Sequence, residues 1–182
     1  NTMMMGGSQI ICGKYMGKNQ FSGVQNIFSL DILLSLLLSA LSALALFTAG
    51  FFDLTGAFTS DAAVRAHFNR YLIGMAVGIV PQIIGQQLSG FLSLENKNKL
   101  TTAAGIAYIL TNLALDYLFV AVLGMEAFGL ALATSLGLWV FAGVQLLYYL
   151  RGKSMLRLGL RGVRLEASGE IFKVGFPGAL SY

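Results

Sequence analysis

The chain has 182 residues, 56% of them hydrophobic and only 11% charged, with a net charge of +4 and a mean hydropathy of +0.73. A soluble domain of this size needs far more polar surface to cover its core, which excludes a water-soluble enzyme or binding module. The single cysteine, Cys12, excludes an internal disulfide and a cysteine metal site. Long Leu/Ala/Gly/Ile runs lack the alternation of barrel strands over about 10 residues. The fold class is therefore all-α, a polytopic helical membrane protein.

In chain order, Thr2 to Cys12 reads as the end of a span whose start is missing. Complete spans follow at Ile27–Phe51, Tyr71–Leu92, Ala103–Leu123 and Phe128–Leu150, each near the ~20 apolar residues a bilayer crossing needs. Another span begins near Gly175, and the sequence stops at Tyr182. With no initiator Met and no signal peptide, the expectation is a piece of a longer protein.

The loops set the topology. Lys14, Lys18, Lys97, Lys99, Arg151, Lys153, Arg157, Arg161, Arg164 and Lys173 lie on one side, and only Arg65 and Arg70 lie on the other. The positive-inside rule places the first set in the cytoplasm. The basic excess then reflects topology and contact with anionic headgroups. No basic stripe with interleaved aromatics supports nucleic-acid binding.

"LENKNKL" (94–100) and "LGMEAFG" (123–129) are short loops, so the helices they join are antiparallel neighbours. The stretch 51–70 is a longer outer loop in which Ser60-Asp61 can cap a short helix, and His67 is read as a solvated loop residue. Residues 151–175 form a basic linker with Arg157, Arg161 and Arg164 at helical spacing. This reads as an interfacial linker between two bundles, or as a loose loop. A new helix start is expected near Ala167–Gly169.

Charge inside the spans is rare and informative. Asn112 and Asp116 are four residues apart, on one helix face, with Tyr108 one turn earlier. A carboxylate in a span faces protein or a water-filled cavity and marks an ion or substrate pathway. The next loop centres on Met125, with Asp116 nine residues before it and Thr134 nine after, which predicts equal depth for the two. Asn112, Asp116 and Thr134 together offer an amide oxygen, a carboxylate and a hydroxyl, hard ligands for a small alkali cation or for holding a proton. Their alternative role is an interhelical hydrogen-bond cluster that only joins two helices.

Other polar positions admit plainer readings. Asp31, near the start of its span, suits the positive end of the helix dipole or reaches the interface. Ser35, Ser39 and Ser42 form a small-residue packing face. Gly74 to Gly78 is a GxxxG pattern, and Pro81 after it disturbs the bond to the carbonyl of Val77. Gln82 and Gln86 share a face and line a cavity or bond to a neighbouring helix. Trp139, near mid-span, faces the cavity or fills space. No nucleophile constellation, phosphate loop or HExxH occurs, so no enzyme is expected and no catalytic residue is assigned.

The stretches "GGSQIICGKYMGKNQ", "PQIIGQQLSGFLSLENKNKLTTAAGIAYILTNLALDYLFVAVLGMEAFGLALATSLG" and "VGFPGAL" resemble the multidrug and toxic compound extrusion (MATE) transporters, especially their DinF-like branch. The resemblance implies part of a twelve-helix antiporter whose two six-helix lobes rock about a central cavity, driven by Na⁺ or H⁺. It implies that residues 1–150 are a partial N-terminal lobe (the end of helix two and helices three to six). Residues 151–174 would be the cytoplasmic inter-lobe linker, and 175–182 the start of helix seven and the C-terminal lobe. The family's first-lobe cation site maps onto Asn112, Asp116 and Thr134, with an acidic residue of helix one outside this piece. Asp31 matches no family motif.

The resulting expectation is a cation-coupled exporter of amphipathic or cationic small molecules. Asp116, Asn112 and Thr134 would carry Na⁺ or H⁺, and Tyr108, Gln82, Gln86 and Trp139 are the cavity-lining candidates. It would sit in a cell membrane, such as a bacterial inner or plasma membrane. Expected partners are a small-molecule substrate and the lipid bilayer, with no nucleic acid and no cofactor beyond the coupling ion. A monomer is expected. A flippase for lipid-linked oligosaccharide or wall precursor is the rival in the same superfamily, though no basic residue lies inside the spans. A non-transporting helical scaffold is the rival from another class.

Overall fold

The computed structural model describes residues 2–57 and 60–152, and after them positions 154, 156, 169, 171, 173, 174 and 176. The basic linker, the helix start near Ala167–Gly169 and the start of another span at Gly175 lie largely or wholly outside the described residues. The elements are α1 (Thr2–Gly17), α2 (Phe21–Phe51), a 3₁₀ turn (Leu54–Ala57), α3 (Ala62–Leu94), α4 (Asn98–Asp116), a π-helical turn (Tyr117–Val122) and α5 (Glu126–Leu150). Every described element is helical. Four helical stretches are long and apolar enough to cross a membrane.

The helices run past the apolar windows that reveal them. α3 begins at Ala62, nine residues before the expected Tyr71, because Asp61 caps it. The Asp61 carboxylate accepts from the N–H groups of Ala63 (2.9 Å) and Val64 (3.3 Å). The short capped helix expected in the outer loop is thus the start of α3. His67 stands on its first turns, not in a loop, with Nδ1 3.2 Å from Glu126 of α5. At the same end Asp53 pairs with Arg65 at 3.1 Å. The first of these exposed contacts joins α3 to α5 and the second joins α3 to the turn after α2, and both add little stability.

α3 is the central element. It packs on α2 along one side and on α5 along another; α4 packs mainly on α5, and α1 on α2 and α3. The α3–α5 seam is built from small residues. A Cβ at Gly74 would lie 2.7 Å from the Ala131 side chain, and one at Gly78 would lie 2.6 Å from Ser135 Oγ and 2.9 Å from its Cα. The GxxxG pattern is therefore a packing face, as small-residue spacing suggests. Ser135 uses the close approach to donate to the carbonyl of Gly74 at 2.7 Å. Further along, Ser89 donates to Gln145 at 2.9 Å.

Pro81 lies inside this seam. Proline has no N–H, so the carbonyl of Val77 four residues earlier loses its helical donor. Trp139 replaces it: its indole N–H donates to Val77 O at 3.1 Å. This explains a mid-span tryptophan that remains half exposed (50%).

Toward the basic loops the helices close on an aromatic core. The ring of Phe28 meets that of Phe91 edge-on at 4.8 Å and stacks on Tyr149 at 5.3 Å. Leu156 and Ile171, beyond α5, are buried in the same cluster. On α2, Ser35 and Ser39 are buried but Ser42 is exposed, so the expected serine face ends one turn early.

If Trp139 substitutes for the missing donor of residue 81, the two positions are coupled. Trp139→Phe should cost about 2–3 kcal/mol, the penalty of leaving the Val77 carbonyl unpaired. In a Pro81→Ala background, where residue 81 supplies its own N–H, the cost should fall toward zero. Unfolding of the four proteins in detergent measures the cycle, and additive effects would disprove the substitution.

Candidate functional site

The polar cluster lies where α4 crosses α5. Gly137 makes the crossing close: a Cβ there would stand 2.9 Å from the Tyr108 ring and 3.4 Å from Cβ of Asn112. Tyr108 fills the space over Gly137 and meets Phe141 with ring centres 6.5 Å apart. One turn further along α4, the Asn112 amide Nδ2 donates to Thr134 Oγ1 at 3.4 Å. The Thr134 hydroxyl in turn donates to the carbonyl of Leu130 at 3.0 Å. That fixes the hydroxyl hydrogen along α5 and leaves the oxygen lone pairs toward α4.

Asp116 stands one turn beyond Asn112, as the spacing predicts. It ends α4, and the π-helical turn begins at the next residue. The residue is half-buried, and its Oδ1 is buried with no hydrogen-bond partner among the described residues. An acceptor with two lone pairs so placed is costly unless a proton or cation occupies it.

Counting nine residues either side of Met125 set Asp116 level with Thr134. The packing of the two helices keeps close to that count: Asn112, thirteen residues before Met125, has its Cβ 3.4 Å from the Cβ position of Gly137, twelve residues after it. The hydrogen bond to Thr134 is the Asn112 side chain reaching toward the loop end of α5. Between Asp116 and the loop the backbone is π-helical, as in the bond from Leu123 N–H to Leu118 O at 3.0 Å.

The remaining sequence candidates fall elsewhere. Trp139 is committed to Val77 on the α3–α5 seam. Gln82 on α3 is half-buried, and Gln86 is exposed. Neither shares a described hydrogen bond with Asn112, Asp116 or Thr134. Tyr108 stands beside the cluster, over Gly137 with Asn112.

Asp31 is the acid whose setting the sequence did not reveal. It neither reaches the interface nor sits at a helix end. It is fully buried (0% exposed), ten residues into α2. Ser8 of α1 donates to its Oδ1 at 2.5 Å, and Oδ2 has no partner among the described residues. The available signal was the spacing of Asp31, Ser35 and Ser39, which continues one buried face of α2. The partner on α1 is set by packing and carries no sequence mark.

Fold and cluster together define a helical membrane protein with oxygen-bearing side chains gathered at one helix crossing. The MatE family model matches residues 2–118, and the chain belongs to that family. Among solved structures it is similar to one described as the inward-facing conformation of a multidrug resistance MATE family transporter of the MOP superfamily. The identity is 21% and the TM-score 0.86, covering 99% of this chain and 41% of that one. A structure of MATE in the bent conformation matches with TM-score 0.87 at 21% identity, over 99% and 41% of the two chains. The outward-facing conformation matches with 0.86 at 20% identity, over 99% and 40%. The chain thus spans about two fifths of the length of the structures it resembles. No curated protein matches it.

Because Gly137 admits Asn112 to α5, a side chain there should separate the pair. Gly137→Leu should push Tyr108 and Asn112 away. It should destabilise the lobe by about 1–3 kcal/mol through overpacking, while Gly143→Leu, with open space around its Cβ position, should be tolerated. Detergent unfolding midpoints of the two variants test the contrast; equal midpoints would refute it.

Proposed function

We propose that this chain is the greater part of the N-terminal lobe of a cation-coupled antiporter, of the DinF-like branch, that exports amphipathic or cationic small molecules by alternating access. On this reading α1 is the end of helix two, and α2, α3, α4 with its π turn, and α5 are helices three to six. The basic loops and residues 151–174 face the cytoplasm. Membership of the MatE family supports transport and not enzymatic catalysis. Near-equal likeness to inward-facing, bent and outward-facing structures supports a lobe that moves as one body.

The observation that carries the coupling role is the hydrogen bond from Asn112 to Thr134 beside the unpartnered buried oxygen of Asp116. Na⁺ would take the Asp116 carboxylate, the Asn112 amide oxygen and the Thr134 hydroxyl, with a further acid from helix one. A proton would sit on Asp116 alone. Occupancy draws α4 and α5 together at one crossing and so changes the face the lobe offers to substrate. Substrate binding must then alter ion affinity by the same factor.

Asp116→Asn in the full-length protein should abolish cation-dependent efflux while expression and membrane insertion persist. Thr134→Val should weaken ion dependence about 5- to 150-fold, the usual range of a coupling energy. Efflux from energised vesicles, with Na⁺ and pH gradients imposed separately, measures both. Transport and ion dependence that survive Asp116→Asn would overturn the reading.

A further inference from the structure

Two connected clefts open on the basic-loop side between α4 and α5. The larger, of about 770 Å³, is lined by Asn96, Lys97, Asn98, Lys99, Leu100, Ala103 and Tyr148. The smaller, of about 280 Å³, is lined by Leu100, Val144, Leu147, Tyr148 and Arg151. They share Leu100 and Tyr148, and together they have the size of a small-molecule pocket.

Their chemistry is graded along the membrane normal. The mouth carries Lys97, Lys99 and Arg151, none of which has an ion-pair partner among the described residues. The nearby carboxylate, Glu95, is already engaged: Tyr148 Oη donates to Oε2 at 3.1 Å, and Ser154 Oγ donates to Oε1. The wall behind the mouth is apolar, from Leu100 and Ala103 on α4 to Val144 and Leu147 on α5. Val144 lies seven residues inside Arg151, or about 10 Å along the helix. Three cations at the membrane surface above a greasy wall fit a phosphate headgroup with its acyl chain descending.

The clefts are distinct from the polar cluster. At about 100° per residue, Leu100 and Ala103 lie on one flank of the buried Ala104, while Asn112 and Asp116 lie on the other. On α5, Leu147 and Arg151 lie on the flank of Gly137 opposite Thr134. Whatever covers the ion ligands does not therefore cover this groove.

We propose that the groove between the start of α4 and the end of α5 binds one anionic phospholipid. Its phosphate sits on Lys97, Lys99 and Arg151, and one acyl chain lies along Leu100, Ala103, Val144 and Leu147. The lipid would clamp the two helices that carry Asn112, Asp116 and Thr134, at the membrane surface nearer the basic loops.

The test titrates the full-length protein in detergent with phosphatidylglycerol, phosphatidylcholine or inorganic phosphate, read by native mass spectrometry. Phosphatidylglycerol should bind about a hundredfold more tightly than phosphatidylcholine, the scale expected of three basic side chains. The exposed-residue variant K97Q/K99Q/R151Q should lose that preference. Ala103→Trp, which fills the groove and keeps the charges, should lose the lipid too. Asp116→Asn should keep it, which separates this proposal from the coupling role. Equal binding of the two lipids, retention in either groove variant, or inorganic phosphate binding as tightly as phosphatidylglycerol would overturn it.

Discussion

The close approach of α3 and α5 is the constraint on which the rest of the lobe depends. In hydrocarbon, two apolar helices gain little from hiding their side chains from water, so contact must come from packing and hydrogen bonds. Gly74 and Gly78 remove side chains where Ala131 and Ser135 must fit. The nearness lets Ser135 and Trp139 bond to backbone carbonyls of α3. The second bond matters because Pro81 strips Val77 of its helical partner, and an orphaned carbonyl in a membrane costs several kcal/mol. The kinked helix and its neighbour therefore specify each other.

α5 held in this way becomes the scaffold for α4, which has few buried contacts of its own: Ala104 is its single fully buried residue. Its fit depends on Gly137, which admits Tyr108 and brings Asn112 to Thr134. The cluster thus rests on two successive small-residue seams, α3 on α5 and α5 on α4. The π turn directly after Asp116 breaks the regular α-helical geometry beside the cluster. Such turns recur at functional sites because they re-aim side chains without breaking the helix.

Much of this was legible in the sequence. Hydropathy located the membrane helices, loop length made their neighbours antiparallel, and the i, i+4 spacing put Asn112 and Asp116 on one face. Hydropathy could not locate the start of α3, because its first turns lie among polar residues and are marked only by the Asp61 cap. The π turn after Asp116 was not legible either, because an irregular turn inside an apolar run leaves no composition signal. Asp31 was misjudged for a different reason. Its burial depends on Ser8 of α1, and a pairing between helices cannot be read from either helix alone.

The two intramembrane acids now separate on physical grounds. A group that binds and releases an ion needs a route as well as ligands. Asp31 is sealed inside the α1–α2 contact, fully buried and bonded to Ser8, so exchange there requires the lobe itself to open. Asp116 is half-buried on a flank of the α4–α5 crossing, with one oxygen turned inward and unpartnered. Its ligand set can be completed or emptied by what packs against that flank, with the α3–α5 seam left intact. On the proposed coupling role, Asp116 is therefore the carboxylate whose occupancy would follow movement of this helical unit against its surroundings, whereas the state of Asp31 is bound up with the packing of α1 on α2.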